Sequence, residues 1–198
     1  MVRIAAGFVR NVQPLFRTET HGTYDVESFE ASLVLHDRSG SKATYRKREK
    51  VRFTRDNVRL LSQRTWGSGR QFAGHRMTYG RILCHGRVGA EERHSIELVR
   101  PGQKGEIRTL SSTRVIRGGF TSAADRWLET DIDHRTRRLS MKVVFPPGIR
   151  PRGARVGSLH GTARRLRPRL LLSGGSALSF LVKNPPIGEK YTISWGAM

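Results

Sequence analysis

The 198-residue sequence predicts an all-β fold, an antiparallel two-sheet sandwich, from three observations. Apolar and polar residues alternate with a period of two in the clearest segment, Phe29 to Leu35, where Phe29, Ala31, Leu33 and Leu35 are interleaved with Glu30 and Ser32 and followed by His36. Extended runs of this kind recur down the chain, separated at short intervals by turn residues. The hydrophobic share of 36% and a length near that of one domain are those of a chain with a single core, not of a disordered one.

The elements follow in order. Residues 1–25 are expected to form an N-terminal arm or first strand, and residues 26–198 one sandwich domain. Asp37-Arg38-Ser39-Gly40-Ser41 supplies turn chemistry between Phe29 to Leu35 and a second run, Lys42 to Phe53, which together make a hairpin. Further strands are expected at Met77 to Cys84, His94 to Val99, Glu106 to Ile116, Arg126 to Asp133, Leu139 to Phe145, Pro168 to Ser173, Ala177 to Lys183 and Tyr191 to Trp195. Thr54 to Gln63 and Ser122 to Trp127 have the caps and length of two short helices. The Pro-, Gly- and Arg-rich stretch Pro146 to Pro168 reads as a long excursion between strands. Many short strands at even spacing fit immunoglobulin-like or jelly-roll-like connectivity.

Charge is the sequence's strongest chemical signal. The chain carries 37 basic and 16 acidic residues, net +21, and 30 of the bases are arginine. Residues 134–188 hold 12 Lys or Arg and no carboxylate, and residues 1–133 are themselves net +9. The first region therefore has no surplus acid to lend, and a one-signed field of this size draws polyanions. Pairing Leu35 with Ala43 and Leu33 with Tyr45 points Arg46, Arg48, Lys50 and Arg52 outward, with Glu30 opposing them. Cations two residues apart on a strand are about 6.6 Å apart, close to the ~7 Å step of phosphates along a nucleic-acid strand. The candidate nucleic-acid-binding residues are this row together with Arg150, Arg152, Arg155, Arg164, Arg165, Arg167 and Arg169, the seven arginines expected to lie mostly exposed and to form a basic surface with the row, or else to contact an acidic partner chain. Tyr45, Trp66, Phe72 and Tyr79 are candidates for base stacking, set against the core role of most aromatics.

Catalytic constellations are thin, and an enzyme is not expected. Glu129, Asp131 and Asp133 lie on one strand face, as an acid or hard-metal site would require. A hairpin of Arg126 to Asp133 with Leu139 to Phe145 would instead set them opposite Lys142, Ser140 and Arg138, as cross-strand charge pairs. Cys84 and His85 are strand neighbours whose side chains point to opposite faces, so Cys84 reads as a buried structural residue. The seven histidines have no ligand spacing, and no metal or cofactor is expected. Gly67-Ser68-Gly69 and Gly174-Gly175 read as hairpin turns. With no apolar run long enough to span a membrane, charge in the first ten residues and one cysteine, the expected compartment is the cytoplasm.

Gly105-Glu106, Trp127-Leu128-Glu129-Thr130-Asp131, Leu139 to Phe145 with Pro146-Pro147, and Pro185-Pro186-Ile187-Gly188-Glu189-Lys190-Tyr191-Thr192-Ile193-Ser194-Trp195 carry a resemblance. In that order they are similar to a β-sandwich module found near the C-termini of bacterial multidomain regulators and defence-associated signalling proteins. The resemblance covers residues 25–198 and implies an immunoglobulin-like accessory or sensing module. Charge, this resemblance and the β content together leave three functions, favouring them in the order given. One is a basic sandwich that docks on nucleic acid or another polyanion. Another is a protein-interaction or sensing module of a bacterial assembly, with an acidic protein chain as partner. The third is an oligomeric, coat-type protein with a basic inner face.

Overall fold

In a computed structural model, residues 22–65, 70–88, 91–165, 167, 169–171 and 173–196 are described. They form the expected all-β sandwich. The strands are β1 (Tyr24–Leu35), β2 (Lys42–Phe53), β3 (Val58–Thr65), β4 (Arg70–Met77), β5 (Gly80–Val88), β6 (Glu91–Gly102) and β7 (Ile107–Arg117). They continue with β8 (Trp127–Asp131), β9 (Arg138–Phe145), β10 (Arg155–Ser158), β11 (Gly161–Arg165), β12 (Arg169–Leu170), β13 (Ser176–Lys183) and β14 (Lys190–Ser194).

One layer is a seven-stranded sheet in the order β12-β13-β9-β1-β2-β7-β4. The other is divided between a four-stranded sheet, β11-β10-β14-β8, and a three-stranded sheet, β3-β6-β5. The pairing is antiparallel except at the centre of the large sheet, where β1 and β9 run parallel from Phe29↔Leu139 to Val34↔Val144. The alternation seen in the sequence is the pleat itself. Phe29, Ala31, Leu33 and Leu35 of β1 meet Leu139, Met141, Val143 and Phe145 of β9 on the buried face. Leu128, Val156, Tyr191 and Ile193 close the core from the four-stranded sheet, and Val58, Leu61, Ile96 and Leu98 from the three-stranded one. Aromatic contacts bind the layers: Phe180 lies 5.6 Å from Tyr191 and Phe145 5.6 Å from Trp195, centroid to centroid.

Several expectations are corrected. Residues 54–63 do not form a helix; they make a turn and β3, which pairs with β6. Of Ser122 to Trp127 only a single 3-10 turn, Ala123–Asp125, is helical, capped by the Ser122 hydroxyl accepting from the Ala124 amide. β1 starts at Tyr24, earlier than the strand expected from Phe29. The expected excursion contains β10 and β11, and β12 is two residues long. β8 and β9 do not form a hairpin: β8 pairs with β14, while β9 lies between β1 and β13 in the other layer. Gly67-Ser68-Gly69 lie outside the described residues, whereas Gly174-Gly175 do sit in the turn joining β12 to β13.

Candidate nucleic-acid interface

The hairpin of β1 and β2 has the register its sequence implies, Leu35↔Ala43 and Leu33↔Tyr45. Its turn is held by Asp37, whose carboxylate accepts from the Ser39 hydroxyl at 2.6 Å, the Ser41 amide and hydroxyl at 2.9 Å and the Lys42 amide at 3.0 Å. Burial pushes this carboxyl up, but those hydrogen bonds outweigh it and hold it at about 2. From this anchor β2 turns Arg46, Arg48 and Lys50 out to solvent, all exposed. Arg52 is the exception. It faces Asp25 in the register, and its Nε donates to Glu27 at 3.0 Å, a carboxylate that Arg137 also reaches at 3.1 Å. Glu30, opposite Arg48, is therefore not the sole acid facing the row.

The same face gathers cations from other strands that the sequence does not single out. Across one row, register places Lys142 of β9, Ser32 of β1, Arg46 of β2, Thr113 of β7 and Arg76 of β4 side by side. Arg138 and Lys183 face each other on β9 and β13, and Lys42 faces Arg117. Only the non-local pairing of strands reveals this. Each of these residues taken alone is one polar position in an alternating pattern.

Arg150, Arg152, Arg155, Arg164, Arg165, Arg167 and Arg169 are all exposed. They do not form one surface with the row. Arg169 pairs with Ala177 and joins the large sheet's outer face. Arg155 and Arg165 face each other on the four-stranded sheet, alternating with buried Val156, and so point out of the opposite layer. The Arg164 guanidinium lies 5.9 Å from the centre of the Phe180 ring, at the rim of the core. Of the stacking candidates, Tyr79 is buried and Tyr45 packs against the core, its ring covered by Arg114 at 4.6 Å. Burial pushes the Tyr45 hydroxyl up to about 12. Trp66 lies outside the described residues, as does the side chain of Phe72.

The acids of β8 are paired with cations, but not with those the sequence suggests. Lys190 of β14 reaches Glu129 at 2.9 Å and Asp131 at 3.7 Å, and Arg64 of β3 bridges Asp131 and Asp133. Burial raises Asp131's carboxyl despite the pull of Lys190 and Arg64. Arg64 thereby crosses the gap between two sheet edges. Beneath that gap lies a cavity of about 120 Å³, floored by Tyr45, Lys47, Glu49 and Arg114 of the large sheet. On its floor Lys47 lies 2.9 Å from the buried Glu49 and compensates it. Cys84 is half-buried, not buried, and unbonded. Among the described residues, no group of three His, Cys, Asp or Glu is placed to hold a metal ion, and no helix is long and apolar enough to cross a membrane.

No family model and no curated protein matches the sequence. Among solved structures, the chain is similar to the M1 zinc metallopeptidase from Deinococcus radiodurans, at 12% identity and a TM-score of 0.47, covering 87% of this chain and 42% of that one. A mutant of that peptidase bound to a Tyr-ser-ala substrate is 15% identical with a TM-score of 0.48, again over 87% and 42%. The chain thus spans less than half the length of these structures.

Proposed function

We propose that the chain is a non-catalytic binding module that docks nucleic acid on the outer face of its seven-stranded sheet. The observation that carries this reading is the excess of cations there. Among the described residues, Lys42, Arg46, Arg48 and Lys50 of β2, Arg76, Arg117, Arg138, Lys142, Arg169 and Lys183 share that face with three acids, Asp25, Glu27 and Glu30. One of the three is already engaged by Arg52 and Arg137. Unneutralised cations on a broad face attract phosphates and release their counterions on binding. The guanidinium fork favours the same partner, since it grips a phosphate through two parallel hydrogen bonds. The acids that would suit a catalyst are committed to ion pairs, which supports binding over chemistry.

The test is fluorescence anisotropy with a labelled oligonucleotide across a salt series. Arg46→Ala, Arg48→Ala and Lys50→Ala together are expected to cost at least tenfold in affinity and to flatten the salt dependence by about 0.9 for each phosphate no longer neutralised. Arg155→Ala with Arg165→Ala, on the opposite layer, is expected to stay within about twofold of wild type. Unchanged affinity in the triple variant, with its circular dichroism also unchanged, defeats the proposal.

A further inference from the structure

Resting on that reading, we infer that the nucleic acid the face accepts is a duplex, gripped by the two phosphate rows that border one groove. The outer face is ribbed. Long cationic side chains stand in columns on alternate strands: Arg138 and Lys142 on β9, Arg46, Arg48 and Lys50 on β2, and Arg76 on β4. The strands between them present short residues along most of their length, with Arg117 at the end of β7, and Lys183 of β13 stands beside the β9 column. β1 offers Ser28 and Ser32 with Glu30, and β7 offers Thr109, Ser111 and Thr113.

With neighbouring strands about 4.8 Å apart, columns on alternate strands stand about 9.6 Å apart. That separation lies between the ~6 Å and ~12 Å widths of the minor and major grooves of a duplex, within the reach of flexible Arg and Lys side chains. Two phosphate rows fit two columns. The troughs between columns carry hydroxyls, and the acid Glu30 sits in a trough, where a groove has no phosphate. A single strand offers one phosphate row and would engage one column.

A single strand would also need aromatic faces on which to stack its bases. Among the described side chains, the aromatic residues of these strands point the other way. Phe29, Tyr45, Phe53, Phe145 and Phe180 all pack with the core beneath the sheet. The face therefore offers phosphate contacts in two rows and apolar or hydroxyl contacts between them, which is the pattern of backbone recognition without base readout.

The experiment compares a labelled 20-base-pair duplex with each of its separated strands, chosen free of self-complementarity, using the full chain. Wild type is expected to bind the duplex at least fivefold more tightly than either strand. Arg138→Ala with Lys142→Ala, which removes the second column from exposed positions, is expected to lose at least fivefold on the duplex and less than twofold on the single strands. Equal or tighter single-strand binding, or an equal loss on both probes, overturns the duplex inference and leaves the basic-face reading standing. Binding of neither probe, or retention on phosphatidylserine vesicles with no binding of either probe, overturns both.

Discussion

At the scale of single residues, two buried or anchored charges govern local stability. The Asp37 carboxyl, held at about 2 in the folded chain, ionises near about 3.9 when unfolded, so its contribution is present above that value and is lost as pH falls towards 2. Asp37→Ala is expected to lower the melting temperature at pH 7. The gap to wild type should close between about pH 4 and pH 2, as thermal melts across that range would show. Under the large sheet, Lys47 and Glu49 form a pair whose carboxylate is buried. Glu49→Leu alone strands the ammonium and is expected to cost about 3 kcal/mol in urea denaturation, whereas Lys47→Met with Glu49→Leu should recover most of that loss. Alternation turns Lys47 and Glu49 to the face opposite Arg46 and Arg48, but the sequence cannot show the pair, because it does not show that a second layer covers them there.

At the scale of elements, what is legible in the sequence is what is local. The register of β1 on β2 follows from their alternation and from the five-residue turn between them, and both are written in contiguous residues. β3 escapes a reading by periodicity because a bulge between Val58 and Leu60 breaks the period of two, leaving Leu60 and Leu61 adjacent in a spacing that imitates a helix. The pairing of β8 is hidden for another reason. Its alternating faces fit either β9 or β14, and nothing in the strand itself chooses; its acids find Lys190 and Arg64 instead of Lys142 and Arg138. The end of β6 illustrates a close approach that only packing reveals. A Cβ on Gly102 would lie 2.5 Å from the Phe53 ring, so Gly102→Ala is expected to destabilise the fold by about 1–3 kcal/mol, read from the shift of its urea midpoint.

At the scale of the whole molecule, the excess charge is plain from composition, but its placement is not. Of the seven arginines from Arg150 to Arg169, Arg155, Arg164 and Arg165 lie on the four-stranded sheet and Arg169 on the large one, while the face proposed for binding draws on six strands of one sheet. The parallel contact of β1 with β9 has a kinetic consequence. The two strands at the sheet's centre are far apart in the chain, with everything from β2 to β8 between them, so the centre closes late and long-range closure slows folding. During synthesis β1 emerges with its β9-facing edge open, and Phe29, Ala31, Leu33 and Leu35 have no β9 beside them. A chain released at Asp133 should consequently be found in aggregates, and sedimentation of that truncation against the full-length protein measures it. The last third of the chain would then serve the first strand as a chaperone encoded in the same polypeptide, arriving after the surface it protects.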